Sequence, residues 1–147
     1  MESYETLIRI FQDIRPNVVI NCIGIVKQLS DAQDPIKVIP INSILPHRLA
    51  QLCSFTDSRL IHISTDCVFS GKRGMYSEED IPDPIDLYGK SKLLGEIESL
   101  KYVITLRTSI IGKEINTENG LLNWFLSQNP QVNRVAPIFG LCQSKTR

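Results

Sequence analysis

A tyrosine and a lysine stand four residues apart in DLYGKSKLLGEIESL, residues 86–100, a segment whose pattern is typical of a helix. Tyr88 and Lys92 therefore project from the same helix face. A phenol has a pKa near ~10, and a nearby ammonium favours the phenolate and lowers that pKa. The pair thus predicts a general acid or base. The alternative interpretation is a surface tyrosine and lysine that pack side by side.

A second group of polar residues, Ser64, Thr65 and Asp66, lies in HISTDCVFSG, at the end of the β-rich run RLIHIS. Ligands of parallel α/β sheets bind beyond the carboxyl ends of the strands, which is where this group would lie. Thr65 could hydrogen-bond a substrate oxygen, while Asp66 could orient the substrate or cap the next turn. The alternative is a turn whose side chains satisfy their own backbone.

The elements that must position these residues alternate between helix and strand. In chain order, the remaining predicted elements are a helix over 2–14, a strand over 18–21, a helix from Asp34-Pro35 to Leu52 kinked or broken at Pro46, strands over 59–64 and 102–111, a helix over 121–128 and a strand over 134–139. The run VVIN lacks polar alternation, which predicts a strand buried on both faces. This order predicts an α/β fold with a parallel sheet and helices on both faces.

Composition argues against several kinds of partner and site. Apolar residues make up 42% of the 147, and 16 basic residues balance 16 acidic ones, so we expect one domain over 1–147 that binds neither nucleic acid nor membrane. No apolar run approaches the ~20 residues that span a bilayer, and no signal peptide is evident, so the cytoplasm is the expected location. The cysteines, which are Cys22, Cys53, Cys67 and Cys142, are too widely spaced to predict a metal site or a disulfide framework.

Four motifs together resemble a known family. The sequence contains STDCVFSG, then YSEED at 76–80, then DLYGKSKLLGE, with LRTSIIG behind it. This combination resembles the extended short-chain dehydrogenase/reductases, and most closely the dTDP-4-dehydrorhamnose reductase branch, which reduces 4-keto nucleotide sugars. The resemblance extends from about residue 16 to about residue 127. It implies a Rossmann-like fold, a nucleotide-sugar substrate, NADPH or NADH as cofactor, and a role in making cell-surface polysaccharide precursors.

The resemblance also implies roles for individual residues. Thr65, Tyr88 and Lys92 match the catalytic Thr/Ser, Tyr and Lys of the family, with Tyr88 donating a proton to the alkoxide that forms as hydride reaches the C4 ketone. Lys92 would hold the cofactor ribose and lower the Tyr88 pKa. The further matched cofactor-binding residues are Asn21, Cys22, Gly24, Asn42 and Thr108, with Asn42 supporting Lys92 through water. The matched substrate-binding residues are Ser64, Asp66 and Arg107.

Three of these positions have simpler interpretations. Asn21 could cap the end of its strand, Asn42 could be a solvated helix residue, and Arg107 could be an ion-pair partner. These alternatives require no ligand.

The glycine-rich phosphate loop of dinucleotide-binding folds is not present in the sequence. No G-x-G-x-x-G or G-x-x-G-x-x-G occurs among its eight glycines. Matched to the family, the chain begins in the helix before the fourth strand, so we expect a partial domain without the first three strands. The VVIN strand should then be an exposed apolar edge. We also expect the polypeptide to bind NAD(P)H weakly or not at all.

Several functions remain open at this point. A 4-keto nucleotide-sugar reductase, an epimerase or dehydratase of the same superfamily, a non-catalytic reductase-like binding subunit and an inactive fragment all fit the motifs. A homo-oligomer is possible.

Overall fold

The structure, a computed structural model, describes residues 4–27 and 29–109, together with Leu122, Leu126 and Ser127. Helices and strands alternate in the order α1 (Tyr4–Ile14), β1 (Val18–Asn21), α2 (Pro35–Val38), α3 (Leu45–Thr56), β2 (Arg59–Thr65), α4 (Leu87–Leu94) and β3 (Val103–Thr108). Short 3₁₀ turns occupy Ser30–Gln33 and Asp66–Val68, and a π-helical segment, Ile39–Ile44, joins α2 to α3.

The three described strands form one parallel sheet in the order β1-β2-β3. Asn21 of β1 pairs with His62 of β2, and Thr65 of β2 pairs with Thr108 of β3, so the carboxyl ends of the strands meet at one edge of the sheet. Parallel strands joined by helical connections confirm the α/β, Rossmann-like architecture that the sequence predicts.

The main core lies on one face of this sheet. Its buried members come from α1, α3, β2, β3 and the segment after α4, and they are Phe11, Leu49, Ala50, Leu52, Cys53, Leu60, Ile97 and Val103. A smaller cluster follows β2 in the chain and contains Val68, Phe69 and Tyr76. The Phe69 and Tyr76 rings are stacked with their centroids 4.6 Å apart. These two clusters hold the sheet, α3 and the turn after β2 as one unit.

The opposite face of the sheet is open within the described part of the chain. Ile20, Ile61 and Ile104 occupy one row across the three strands, and Ile20 and Ile104 are 62% and 55% exposed. The prediction that β1 is buried on both faces is therefore wrong, because β1 is the edge strand of the described sheet and no described helix covers this face. The expectation of helices on both faces is likewise not met by the described residues. The expectation of an exposed apolar edge is met.

The helical run from Pro35 to Thr56 departs from the predicted helix in its middle. Its start is confirmed, since Asp34 Oδ1 accepts a 2.9 Å hydrogen bond from the Ile36 amide and Pro35 follows as the first helical residue. The predicted break at Pro46 is instead a change of helix type. Pro46 has no N–H to offer the carbonyl of Asn42, and the wider π-helical turn ends just before it.

Helix α4 is shorter than the stretch that predicted it. Asp86 caps its start by accepting a 2.8 Å hydrogen bond from the Gly89 amide, and it ends at Leu94. Residues 110–111 of the third predicted strand and the whole of 134–139 lie outside the described residues. Of the predicted helix over 121–128, the described Leu122, Leu126 and Ser127 are helical. Among the described helices, none has both the length and the apolar character needed to cross a membrane.

Candidate active site

The site begins where β2 ends. Thr65 is the last residue of the strand, and its hydroxyl accepts a 3.2 Å hydrogen bond from the Cys67 amide, which caps the following 3₁₀ turn. The same hydroxyl donates to Asp66 Oδ1 at 3.3 Å. Thr65, and not Asp66, is therefore the residue that caps this turn. This bonding fixes the Thr65 side chain at the carboxyl edge of the sheet.

Helix α4 approaches this turn through a glycine. A Cβ added at Gly89 would lie 2.3 Å from the Cys67 carbonyl oxygen, so only glycine allows the helix backbone to come this close. Asp86, which caps the helix, also forms a 2.7 Å ion pair with Lys27 from the loop after β1. The start of α4 is thus tied to the loops that follow two different strands.

Tyr88 stands next to Gly89 and faces the end of β2. Burial raises the pKa of Tyr88, and a hydrogen-bonding interaction with the Thr65 hydroxyl lowers it by less. The structure therefore brings Tyr88 and Thr65 together, as predicted. The net pKa of Tyr88 is raised in this structure, because withdrawal of the phenol from water is the dominant influence. A lowering of this pKa by Lys92 stays a prediction.

Lys92 lies one helical turn further on and is buried. Its ammonium donates a 2.7 Å hydrogen bond to the carbonyl oxygen of Ile63, so the side chain is directed at the backbone of β2. Burial lowers the pKa of Lys92, and the nearby carboxylate of Glu96 opposes this effect. An ammonium has three N–H donors, and this bond to Ile63 uses one of them.

The loop after β1 borders this lysine. A Cβ added at Gly24 would lie 3.4 Å from Asn42 Oδ1 and 3.8 Å from Lys92 Nζ. Asn21 ends the strand, and its Oδ1 accepts a 3.1 Å hydrogen bond from the Ile23 amide. Cys22 is exposed between them. The predicted residues Asn21, Gly24 and Lys92 therefore belong to one region.

Asn42 fixes the same loop from the π-helical segment. Its Oδ1 accepts a 2.8 Å hydrogen bond from the Ile25 amide, and its Nδ2 donates to the Ile25 carbonyl at 3.0 Å and to Ser91 Oγ at 3.1 Å. Asn42 is fully buried, so it is not a solvated helix residue. It joins the loop after β1 to α4, and a role in supporting Lys92 stays a prediction.

Arg107 and Ser64 both bind the carboxylate of Glu96. Arg107 Nη2 lies 2.6 Å from Glu96 Oε2, its Nε lies 3.0 Å from the same oxygen, and its guanidinium stacks over the Phe69 ring. The Ser64 hydroxyl donates to Glu96 Oε1 at 2.5 Å. The structure thus gives Arg107 the ion-pair role that was the simpler interpretation, and substrate-binding roles for Arg107 and Ser64 stay predictions.

The remaining predicted residues, Asp66 and Thr108, lie at the same edge of the sheet. Asp66 is half-buried, and Thr108 is exposed beside Thr65 on the neighbouring strand. Roles in binding substrate or cofactor stay predictions for both.

Sequence reasoning missed two residues in this region. His62 is fully buried in the middle strand with its Nδ1 3.1 Å from Asn21 Nδ2, and Glu96 is the shared partner of Arg107 and Ser64. The alternation of Leu60, His62 and Ser64 was a usable signal for the histidine. No local signal identified Glu96, which follows the end of α4.

The described residues fit one end of a dinucleotide cofactor. Tyr88, Lys92 and Thr65 supply a phenol, an ammonium and a hydroxyl, and Gly24 leaves an open approach to Lys92. These groups suit a ribose and its attached nicotinamide, whereas the glycine-rich turn that binds a pyrophosphate is not in the sequence. No cluster of three or more His, Cys, Asp or Glu side chains that could hold a metal ion occurs in the described part of the chain.

Comparison with known proteins identifies one family over most of the chain. Residues 1–136 match the model of the RmlD substrate binding domain. The chain is 35% identical over 115 residues to methionine adenosyltransferase 2 subunit beta of Danio rerio, covering 72% of this chain and 33% of that protein. It is 37% identical over 82 residues to the dTDP-4-dehydrorhamnose reductase of Mycolicibacterium smegmatis, covering 54% of this chain and 25% of that protein.

A solved structure shares the fold. The dTDP-4-dehydrorhamnose reductase of Bacillus anthracis, determined in complex with NADP, superimposes with a TM-score of 0.58 at 32% identity, covering 63% of this chain and 34% of that one. The chain spans about a quarter to a third of the length of the two curated relatives.

Proposed function

The chain belongs to the RmlD substrate binding domain family, and on this premise we propose that it carries the proton-transfer centre of an NAD(P)H-dependent reductase acting on a nucleotide-activated 4-keto sugar. The observation that carries the proposal is the placement of Tyr88. Its phenol is partly buried beside Thr65, one helical turn from a lysine fixed to the β2 backbone. The dTDP-4-dehydrorhamnose reductase relatives support the substrate class.

In this proposal Tyr88 is the proton donor. Burial raises its pKa, so the phenol is protonated at neutral pH and enters the reaction as an acid. A nicotinamide cofactor, when bound, supplies the hydride that converts the C4 ketone to an alkoxide. The Tyr88 O–H bond then breaks as its proton passes to the alkoxide oxygen, which leaves an alcohol on the sugar and a phenolate on the enzyme.

Lys92 and Thr65 prepare Tyr88 for this step. The Lys92 N–H donors beyond the one bound to Ile63 would hold a ribose hydroxyl of the cofactor. The Lys92 charge also stabilises the phenolate that remains after proton transfer. Thr65, which interacts with Tyr88, would orient the substrate oxygen toward the phenol.

The reductase proposal is tested with two hydride donors. NADPH and reduced nicotinamide mononucleotide share the nicotinamide ribose, but the second lacks the adenosine and the pyrophosphate. Because both donors carry the nicotinamide ribose that Lys92 would hold, we expect both to support reduction of dTDP-4-keto-6-deoxy sugar. Product is measured by chromatography of the nucleotide sugar.

Tyr88→Phe is the decisive variant in this assay. Loss of the phenolic proton should lower the rate with both donors by about 100-fold or more, the usual contribution of a general acid. Lys90→Met, on the same helix and exposed, is the matched control and should leave the rate unchanged. Product formation that is equal in Tyr88→Phe and in the unaltered protein contradicts the proposal.

A second candidate function is that of a non-catalytic subunit. The supporting observation is the relative from Danio rerio, whose name makes it a subunit of a methionine adenosyltransferase. Under this proposal the chain binds the catalytic subunit of such an enzyme. Sedimentation of the mixed proteins would detect a complex.

Tyr88→Phe also separates the two candidates. It should leave subunit binding intact because it removes a single oxygen from a half-buried side chain. If both the unaltered protein and Tyr88→Phe form the complex and neither shows turnover, the result favours the subunit function and excludes the reductase function.

A further inference from the structure

A buried asparagine and a buried histidine face each other across the first two strands. Asn21 and His62 occupy directly paired positions of β1 and β2, and Asn21 Nδ2 lies 3.1 Å from His62 Nδ1. Both side chains are at least 98% buried. Asn21 is the last residue of β1, so the pair lies directly before the loop that borders Lys92.

The hydrogen bonds of Asn21 determine which imidazole nitrogen carries the proton. Asn21 Oδ1 accepts a hydrogen bond from the Ile23 amide at 3.1 Å. If the Asn21 side-chain amide were rotated by 180°, its NH₂ group would face the Ile23 N–H, and two donors would oppose each other. Asn21 Nδ2 is therefore the donor toward the histidine, and His62 Nδ1 must accept. A neutral His62 with its proton on Nε2 satisfies these bonds.

The surroundings keep His62 neutral. Burial lowers the pKa of His62 to about 4, and the positive charges of Lys92 and His47 act in the same direction. Within the described residues, His62 Nε2 is buried without a hydrogen-bond partner. Among the described residues, Asn21 is therefore the hydrogen-bond partner of the His62 ring. A histidine with this single bond can orient the Asn21 amide.

The loop from Asn21 to Ile25 is held at both ends by buried asparagines. Asn21 fixes the Ile23 amide, and Asn42 fixes both backbone groups of Ile25. Between these points lies Gly24, next to Lys92 Nζ. The course of the loop past Lys92 thus depends on the orientation of the Asn21 amide.

We propose that His62 is a positioning residue: its Nδ1 accepts from Asn21, which orients the Asn21 amide and fixes the loop beside Lys92. The proposal deepens the proposed reductase function and rests on it, since the loop borders the cofactor-holding lysine of that function. His62 itself contacts neither substrate nor cofactor in this proposal. Its effect reaches Lys92 through Asn21 and the backbone at Ile23.

The imidazole nitrogens provide a direct test in the unaltered protein. In ¹⁵N-labelled protein at pH 7, the ¹⁵N chemical shifts of the His62 ring should show a proton on Nε2 and none on Nδ1. A proton on Nδ1, or on both nitrogens, contradicts the proposal. This measurement needs no variant and no ligand.

Two variants of similar side-chain size test the consequence for the loop. His62→Asn keeps an acceptor at the position of Nδ1, whereas His62→Leu does not. Amide hydrogen exchange at Ile23 should be at least ~10-fold faster in His62→Leu and close to its original rate in His62→Asn. The Leu60 amide, bonded to the Tyr102 carbonyl, is the internal reference and should exchange equally in both.

Equal Ile23 protection in both variants overturns the proposal. If His62→Leu does not fold, which general loss of protection at Leu60 would reveal, the nitrogen shifts of the unaltered protein decide the question alone.

A cofactor readout separates this proposal from the reductase function. In the turnover assay, His62→Leu should raise the KM for NADPH more than it lowers kcat, and His62→Asn should restore the KM. Absence of Tyr88-dependent turnover contradicts the reductase function, and the Ile23 exchange rates still decide the role of His62.

Discussion

Lys92 Nζ donates a 2.7 Å hydrogen bond to the carbonyl oxygen of Ile63, two residues before Thr65 on β2. This bond joins the helix that carries Tyr88 to the strand that carries Thr65. The positions of the three groups are therefore fixed by the described part of this chain before any ligand binds. The conformational entropy lost in ordering these side chains is therefore lost during folding and not during ligand binding.

Lys92→Met should affect activity and stability differently. Methionine fills a similar buried volume, and burial already disfavours the ammonium, so we expect the free energy of unfolding to stay within ~1 kcal/mol of its original value. Turnover should fall by about 100-fold or more because the charge that supports the Tyr88 phenolate is lost. Urea denaturation and the product assay measure the two quantities. Retained turnover would show that Lys92 is a structural residue.

Two glutamates that bind the same arginine provide a matched comparison. Glu96 has a side chain that is 3% exposed and pairs with Arg107, whereas Glu98, which contacts the same guanidinium at 3.3 Å, is 78% exposed. Glu96→Gln should lower the free energy of unfolding by about 3 kcal/mol, because it leaves a nearly buried Arg107 without its main counter-charge. Glu98→Gln should change it by less than ~1 kcal/mol. Similar losses in both variants would contradict this assignment.

Gly89→Ala should destabilise the protein through a backbone clash. The new Cβ would lie 2.3 Å from the Cys67 carbonyl oxygen and 2.9 Å from Pro84 Cβ, so α4 would have to move away from the turn after β2. We expect a loss of about 3 kcal/mol in the free energy of unfolding. Gly24→Ala is the control, since its nearest contact would be an ordinary 3.4 Å and the loss should stay under ~1 kcal/mol. Thermal denaturation of both variants checks the difference.

The buried His62 should make stability depend on pH. The folded protein holds the pKa of His62 at about 4 against 6.5 in the unfolded chain, so between these values the unfolded state binds more protons. Stability should therefore fall as the pH drops from 6.5 to 4, by up to about 3 kcal/mol from this residue. Well above pH 6.5 the residue is neutral in both states and contributes no slope.

The His62→Asn variant isolates this contribution. Urea denaturation between pH 7 and pH 4 should give a flatter stability profile for His62→Asn than for the unaltered protein. Carboxylates whose pKa is lowered by folding, such as Asp80 and Asp83, act in both proteins and cancel in the comparison. Stability profiles of equal slope in the two proteins would contradict a contribution from His62.

Much of this fold follows from local sequence chemistry. Asp34-Pro35 marks a helix start because the carboxylate accepts an amide hydrogen bond and the proline needs none. The run RLIHIS becomes β2, and the Tyr88–Lys92 spacing places both residues on α4. These features depend on neighbours in sequence, which is why the pattern of residue types predicts them.

Features that depend on tertiary contacts were not predicted. The π-helical turn before Pro46 and the pairing of Arg107 with Glu96 depend on how α3, α4 and β3 meet. The raised pKa of Tyr88 has the same origin, since the effect of burial outweighs that of the hydrogen bond with Thr65. A sequence pattern contains no measure of the depth of burial.

Helix α4 meets the rest of the protein at both ends through glycine. Gly89 lies against the Cys67 carbonyl, and a Cβ at Gly95 would lie 2.1 Å from the carbonyl oxygen of Asn42. At each glycine the nearest contact is a backbone carbonyl oxygen, so these two points of the helix are positioned by backbone that does not change with the side chain of Cys67 or Asn42. The exposed positions Lys90 and Leu94 can therefore diverge during evolution without moving Tyr88, which directly precedes Gly89, or Lys92, which lies between the two glycines.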